Sequence, residues 1–159
     1  MSHPEALHGW MKDAYAMEIG HLPLLESLAR DAHDAALADK ARHHLQRTHT
    51  HIDRVRDCLI RYGETPDSIA AIAPCEASQM PTSSVGAPDE TLRNAVREFA
   101  AEHFQIAVYK AILVAAQAAD DSLTLRMCEE ILDDEEDMVR WLEDHLPPAV
   151  NEFVSHQPS

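Results

Sequence analysis

The stretch YAMEIGH, residues 15–21, decides the fold, because it sets a carboxylate and an imidazole on the apolar face of a helix. The residues of this face recur at spacings of three and four: Leu7, Met11, Ala14, Glu18, His21, Leu25 and Leu28. Such spacing is typical of an amphipathic helix that packs on a core. An ionised carboxylate buried without a partner costs several kcal/mol. The pattern therefore predicts that Glu18 meets a proton, a cation or a metal ion.

Three further segments show the same periodicity, which in the third of them runs through Ala95, Phe99, Glu102, Ile106 and Tyr109. They run from about Asp39 to Tyr62, from about Asp89 to Ala119, and from about Ser122 to the LPP motif at 146–148. Glycine or proline follows the second and the fourth segments, which is how helices commonly end. The composition, with only four glycines and many alanines, also favours helix over strand. We therefore predict an all-α protein.

The connections between the segments predict the topology. Residues 64–90 contain four prolines and a serine cluster, which indicates a long irregular crossover with at most a short helical piece. Short loops after the first and third segments favour two antiparallel pairs. We predict one four-helix bundle domain over residues 1–148, with a crossover at 64–90 and a C-terminal tail at 149–159.

Composition narrows the classes of partner. No apolar run approaches the roughly 20 residues needed to span a bilayer, and the net charge of −15 repels phosphate backbones and anionic lipid, so we expect no nucleic acid or membrane partner. The cysteines are Cys58, Cys75 and Cys128, an odd number without CxxC spacing, and the chain starts with no export leader. We therefore expect a cytoplasmic protein.

Each apolar stripe is interrupted by polar residues near the middle of the predicted bundle. The interruptions are Glu18 and His21, His44 and His51, Glu102, and Glu135. Inward glutamates with histidine three residues on are how ferritin-like bundles hold pairs of metal ions. Mixed oxygen and imidazole ligands suit iron, manganese or zinc. We expect these six side chains to meet and to be candidate metal ligands.

Four motifs carry a resemblance to a known family. They are LHGWMKDAYAMEIGHLP at 7–23, HLQRTHTHIDRV at 44–55, EHFQIAVYKAIL at 102–113 and EEILDDEEDMVRWLEDHLP at 129–147. In this order they closely resemble the YciE/YciF-like group of bacterial proteins. The resemblance implies a ferritin-like bundle, a homodimer and an association with stress responses, without implying a defined activity.

Two positions depart from the pattern that this resemblance implies. The family's acidic centre falls on Glu18, Glu102 and Glu135, and His44 matches the histidine of its second-helix motif HLEET. Arg47, however, stands at the second glutamate of HLEET, and Gln105 stands at a glutamate of the third-helix motif. A di-metal centre would lose two carboxylates and gain a guanidinium at its edge.

Two hypotheses follow from these departures. In the first, a degenerate di-metal centre has become a metal-free Glu/His/Arg network, in which Arg47 pairs with the buried glutamates of a structural or interaction protein. In the second, Arg47 extends to solvent, and the glutamates with His21 and His44 or His51 bind a single ion of iron, manganese or zinc. Oxidase or peroxide-scavenging activity would then come from the metal.

Overall fold

The computed structural model describes residues 3–69 and 88–156, and within these ranges it contains four α-helices and no strand. The helices are α1, His3–Asp31; α2, Ala35–Arg61; α3, Glu90–Ala118; and α4, Ser122–Ser155. A short 3-10 helix, Pro66–Ser68, follows α2. The all-α prediction is confirmed. Most of the predicted crossover, including Cys75, lies outside the described residues.

Aspartate caps define the two short connections. Asp34 accepts hydrogen bonds from the backbone N–H groups of Ala36 and Leu37, at 2.9 and 3.1 Å, and so fixes the start of α2. Asp121 accepts from the N–H of Thr124 at 3.1 Å and plays the same part for α4. Because the linkers are only a few residues long, α1 with α2 and α3 with α4 form antiparallel pairs.

The predicted stripes face the interior. α1 packs against α2 and α3, and α4 packs against α3, while the contact between α2 and α4 is the smallest of the four. All seven residues of the predicted α1 stripe are buried. On the other helices the stripe residues are buried or half-buried. The four-helix bundle expected from the sequence is therefore the observed architecture.

Two apolar clusters lie above and below the predicted polar positions. One cluster contains Leu7, Met11, Val55, Tyr109 and Ile131 among others, and the second contains Leu28, Leu37, Ala41, Ala95, Met138 and Leu142. Burying one large aliphatic side chain contributes roughly 1.5–3 kcal/mol. These two clusters therefore stabilise the bundle enough to hold a polar layer between them, and they also shield that layer from water.

The end of α4 differs from the prediction. We expected the helix to end at 146–148, but it continues through Pro147 and Pro148 to Ser155. Each proline removes one hydrogen bond, to the carbonyls of Glu143 and Asp144. Both of those residues and both prolines are exposed, so water can satisfy the freed carbonyls. Proline's fixed φ is itself compatible with helix, and the first seven residues of the predicted tail are helical.

α3 has an unusual composition for a helix of this bundle. Contrary to our expectation that no apolar run approaches membrane-spanning length, it is long and apolar enough to pass a length and composition test. A core helix passes the same test. Here α3 buries Glu98, Glu102 and Gln105 within the bundle, which is why we interpret it as a core helix.

Candidate metal centre

Seven titratable side chains meet between the two apolar clusters. All six residues predicted from the sequence are among them, and each is at most 1% exposed. The complete set is Glu18 and His21 from α1, His44 and His51 from α2, Glu98 and Glu102 from α3, and Glu135 from α4. Every helix of the bundle therefore contributes to one polar layer.

The seven side chains form three overlapping groups. They are Glu18, His51 and Glu135; His44, Glu102 and Glu135; and His21, Glu98 and Glu102. In each group, one ligand atom per residue lies within 4.8 Å of the others. Glu135 and Glu102 each belong to two groups, so the three groups form a continuous row.

The first group is anchored by a tyrosine and an aspartate. The Tyr109 hydroxyl donates to Glu18 Oε1 at 2.5 Å. His51 Nδ1 lies 3.0 Å from Glu135 Oε1 and 3.7 Å from Glu18 Oε1. Its Nε2 lies 3.0 Å from Asp134 Oδ2, at the edge of the bundle. A carboxylate on one ring nitrogen fixes the tautomer and leaves the other nitrogen directed at the centre.

The opposite end of the row is built around His21. Its Nε2 lies 2.8 Å from Glu98 Oε2 and 3.8 Å from Glu102 Oε1. The amide nitrogen Nε2 of Gln105 lies 2.5 Å from His21 Nδ1. In the flipped amide the oxygen instead accepts the Nδ1–H proton, and Oε1, which otherwise has no partner among the described residues, gains one. In this flipped orientation Nε2 of His21 is left to the carboxylates.

His44 connects the two ends of the row. Its Nε2 lies 3.0 Å from Glu102 Oε1 and 3.3 Å from Glu135 Oε2. These are ion-pair distances without hydrogen-bond geometry, and neither ring nitrogen has a hydrogen-bond partner among residues 3–69 and 88–156. His44 is therefore held less firmly than His21 or His51.

Burial and mutual charge shift the pKa values of the first group. Burial, with the charge of Glu135, raises the pKa of Glu18 to about 7. Burial lowers the pKa of His51, but the carboxylates of Glu135, Glu18 and Asp134 close to its ring outweigh burial and raise that pKa to about 9. Glu135 has its pKa raised by burial, yet the neighbouring Glu102, His44 and His51 hold it well below its usual range.

At the other end of the row, burial and mutual charge again shift the pKa values in opposite directions. Burial opposes the charges of both members of the His21–Glu98 pair. Their mutual attraction outweighs it, raising the pKa of His21 and lowering that of Glu98. Burial and the neighbouring Glu135 and Glu98 raise the pKa of Glu102 well above its usual range.

Arg47 lies outside this centre. Its Nη1 donates to Asp137 Oδ2 at 2.9 Å, and its Nε lies 3.5 Å from Asp134 Oδ1. The Arg47 side chain is 41% exposed. The predicted pairing of Arg47 with buried glutamates is therefore wrong. The physical reason is that a guanidinium on a long stem reaches the two surface aspartates of α4 without losing its hydration.

Several buried polar atoms of the centre have no hydrogen-bond partner within the part of the chain that the structure describes. They are Glu18 Oε2, His51 Nδ1, Glu98 Oε1, both nitrogens of His44, and both carboxylate oxygens of Glu102 and of Glu135. Leaving such a group unsatisfied costs about 1–3 kcal/mol, and more when it is charged. Cations or protons in this layer would remove that cost.

Glu98 is the one member of the row that sequence reasoning missed. The predicted α3 stripe followed Ala95, Phe99 and Glu102, and Phe99 is in fact half-buried. Glu98 precedes Glu102 by four residues, a spacing that places both side chains on one helix face. An i, i+4 glutamate pair on an otherwise apolar helix was the available signal.

Comparison with protein families gives a match over almost the whole chain. The family described as "Domain of unknown function (DUF892)" matches residues 2–155. A protein of Xanthomonas campestris pv. campestris has a solved structure similar to this one, with 28% identity and a TM-score of 0.80. That similarity covers 98% of this chain and 97% of the other.

Two more distant structures share the fold. The stress protein YciF of E. coli is 20% identical, with a TM-score of 0.77, over 95% of this chain and 98% of that one. YcfI of Rhodopseudomonas palustris is 17% identical, with a TM-score of 0.73, over 90% and 94% of the two chains. At these identities the likeness concerns the fold.

Proposed function

This chain belongs to the DUF892 family of YciE/YciF-like helical bundles, and we propose that it binds two divalent transition-metal ions in its polar layer. The observation that carries the proposal is the set of buried carboxylate and imidazole atoms without a hydrogen-bond partner among the described residues. A cation is the usual solution for clustered buried carboxylates. The donors present, carboxylate oxygen and imidazole nitrogen, are those that bind such ions.

The charges of the centre support two ions. Four glutamates of the layer are fully buried: Glu18, Glu98, Glu102 and Glu135. When ionised they bring four negative charges, which two divalent ions offset. The departures at Arg47 and Gln105 argue less strongly against metal than the sequence suggested. Glu98 adds a carboxylate, and Arg47 points to solvent.

The two outer groups of the row would each hold one ion. Glu18 and His51 serve one position, His21 and Glu98 serve the other, and Glu102, Glu135 and His44 lie between them. Iron or manganese at these positions would supply redox chemistry, which is the basis for an oxidase or peroxide-scavenging activity, whereas zinc would act as a Lewis acid. The donor types suit all three metals.

Three residues of this chain would orient the ligands. Tyr109 holds Glu18 through its hydroxyl, Asp134 accepts from Nε2 of His51, and Gln105 accepts from Nδ1 of His21 in the orientation described above. Such outer contacts fix ring tautomers and carboxylate directions. They bring the imidazole nitrogens and carboxylate oxygens to face each other before any ion arrives.

A metal-free structural or interaction protein is the second candidate. It is favoured by the buried pairs His21–Glu98 and His51–Glu135, at 2.8 and 3.0 Å, which neutralise part of the layer without metal. In this case protons, rather than metal ions, offset the charge of the buried carboxylates. Buried polar networks of this kind serve to fix one packing arrangement.

Thermal unfolding separates the two candidates. Metal-free protein would be titrated with manganese(II), cobalt(II) or zinc(II). Saturation to about 100 times Kd stabilises by about 2.7 kcal/mol, or roughly 5–10 °C in Tm for a chain of this size. Glu102→Gln should abolish most of this gain, because Glu102 belongs to two groups. Glu129→Gln, at an exposed position on α4, is the control and should keep it.

The proposal fails if none of the metals raises the Tm, or if Glu102→Gln retains the full gain. The first result would favour the metal-free candidate. The second would mean that any binding occurs elsewhere on this acidic surface.

The setting of this activity is also a proposal. We propose a cytoplasmic homodimer with a role in stress responses, as the resemblance to YciE/YciF-like proteins implies. The exposed apolar side chains of α3, Val96, Phe104 and Val114, support a surface for a second copy. Sedimentation equilibrium of the full chain tests the dimer, and a monomer at micromolar concentration would contradict it.

A further inference from the structure

A cavity lies between the first half of α2 and α4, the two neighbouring helices whose contact is the smallest in the bundle. Its volume is about 300 Å³, and it opens to the surface. Ala36, Lys40 and Arg47 of α2 and Trp141 of α4 line it, together with His44. His44 therefore belongs both to the wall of this cavity and to the buried row of candidate ligands.

His44 differs from the other two histidines of the row in how it is held. His21 contacts Gln105 through Nδ1, and His51 contacts Asp134 through Nε2. In each ring, a contact therefore holds the nitrogen that faces away from the centre of the row. His44 Nδ1 is buried and has no hydrogen-bond partner in the described ranges 3–69 and 88–156. A histidine that ligates a metal normally donates its second N–H. Rotation of the His44 ring therefore breaks no hydrogen bond at Nδ1.

The cavity is large enough for the ring and for an incoming ion. One water molecule occupies about 30 Å³ of liquid, so 300 Å³ corresponds to about ten waters. This is room for a rotated imidazole or for an ion that keeps several waters. A divalent ion arrives with a shell of waters, so an entry route that admits waters as well as the ion suits it.

The cationic side chains beside the cavity are paired with aspartates of α4. Lys40 Nζ and Arg47 Nη1 lie 2.8 and 2.9 Å from Asp137 Oδ2, and Arg47 also faces Asp134. These pairs hold both cationic heads on the α4 aspartates. The net charge of −15 raises the local concentration of cations around the chain. The two α4 aspartates therefore offset positive charge at the mouth of the cavity, where a divalent ion would enter.

We propose that divalent metal ions enter and leave the centre through this cavity, with His44 as the movable ligand that opens the way. This inference rests on the proposed metal binding. It assigns to His44 a role distinct from that of His21 and His51, which are fixed ligands. It also explains why one imidazole of the row has no hydrogen-bond partner behind its ring.

The test is the rate of cobalt(II) loading into metal-free, full-length protein, followed by visible absorbance after rapid mixing. Ala36→Phe narrows the cavity without touching a ligand, and we expect it to slow loading about tenfold or more, which is about 1.4 kcal/mol in the barrier. The final number of ions per chain should stay as in the wild type. Ala35→Phe, at the exposed neighbouring position, is the matched control and should load at the wild-type rate.

A second variant tests the route in the opposite direction. Trp141→Ala widens the cavity from the α4 side and should accelerate loading and chelator-driven release several-fold. This variant also keeps the proposal testable if Ala36→Phe fails to fold. Release is a useful second readout because, when affinity is unchanged, a wider route accelerates loading and release by the same factor.

Each outcome decides the matter. Unchanged rates in both cavity variants, or equal slowing by Ala35→Phe and Ala36→Phe, would overturn the proposed route. Slow loading with a reduced final metal content would also count against it, because the substitution would then act on the site. If the wild-type protein binds no cobalt at equilibrium, metal binding itself fails, which is a different result from fast loading by every variant.

Discussion

Arg47→Met tests whether the Arg47 guanidinium of α2 stabilises surface aspartates or the buried carboxylates. The substitution keeps most of the aliphatic stem and removes the guanidinium, which pairs with Asp137 at 2.9 Å while both side chains are about two-fifths exposed. Exposed ion pairs contribute about 0.2–1 kcal/mol. For a chain of this size, 1 kcal/mol changes Tm by roughly 2–4 °C. We therefore expect the Tm of the metal-free protein to fall by no more than about 4 °C.

The same measurement can refute this reasoning. Removing the counter-ion of buried carboxylates costs about 3–5 kcal/mol, which would lower the Tm by roughly 10 °C or more. Arg54→Met is the matched control, because Arg54 pairs with Glu130 and is 42% exposed. We expect equal small losses in calorimetry or circular dichroism. A much larger loss for Arg47→Met alone would mean that its charge stabilises the buried layer.

Three further predictions concern the polar layer. Glu18 and His51 have pKa values raised to about 7 and about 9, so the folded metal-free protein binds more protons than the unfolded chain between about pH 4.5 and 9. Its Tm should therefore fall as pH rises from 5 to 9 in the presence of a chelator, and a Tm that rises over this range would contradict the assignment. Tyr109→Phe removes the donor to Glu18 Oε1 and should cost about 1–3 kcal/mol in chemical denaturation of the metal-free protein, whereas an unchanged stability would mean that the hydroxyl is not needed. Glu98→Gln removes one carboxylate from the outer group around His21 and should lower the number of bound ions from about two to about one per chain, and two retained ions would exclude Glu98 as a ligand.

The fold was largely predictable because local signals and the hydrophobic period agree. Gly63 stops α2, and the stripes of three and four residues point inward on all four helices. The start of α2 lies earlier than the predicted Asp39, at Ala35, because Asp34 caps the helix. The end of α4 was not predictable from Pro147 and Pro148. Whether proline ends a helix depends on whether the carbonyls it leaves free can reach water, which is a property of the packed molecule.

The centre was predictable in its members and less so in its contacts. A polar residue on an apolar stripe needs a partner, and this rule found Glu18, His21, His44, His51, Glu102 and Glu135, all of which lie in one layer. Their roles as metal ligands stay a prediction. Glu98 was missed because the buried face of α3 is wider than the predicted stripe through Phe99.

The direction of Arg47 was beyond the reach of sequence reasoning. A long cationic side chain at a half-buried position can turn inward to carboxylates or outward to water, and periodicity does not separate the two. The structure shows that Asp134 and Asp137, one turn apart on α4, attract the guanidinium to the edge of the bundle. That pair decides the direction, and it is visible only once α2 and α4 are placed together.

The most direct test of the central claim is the metal content of the full chain, purified without an affinity tag, loaded with iron(II), manganese(II) or zinc(II), desalted and analysed by elemental mass spectrometry. Two ions neutralise the buried carboxylates, so we predict about two ions per chain for the wild type. Glu18→Ala should retain about one at most, with its helical circular dichroism unchanged. An absence of retained metal in the wild type, or an equal content in Glu18→Ala, would contradict the proposal that this layer is a metal centre.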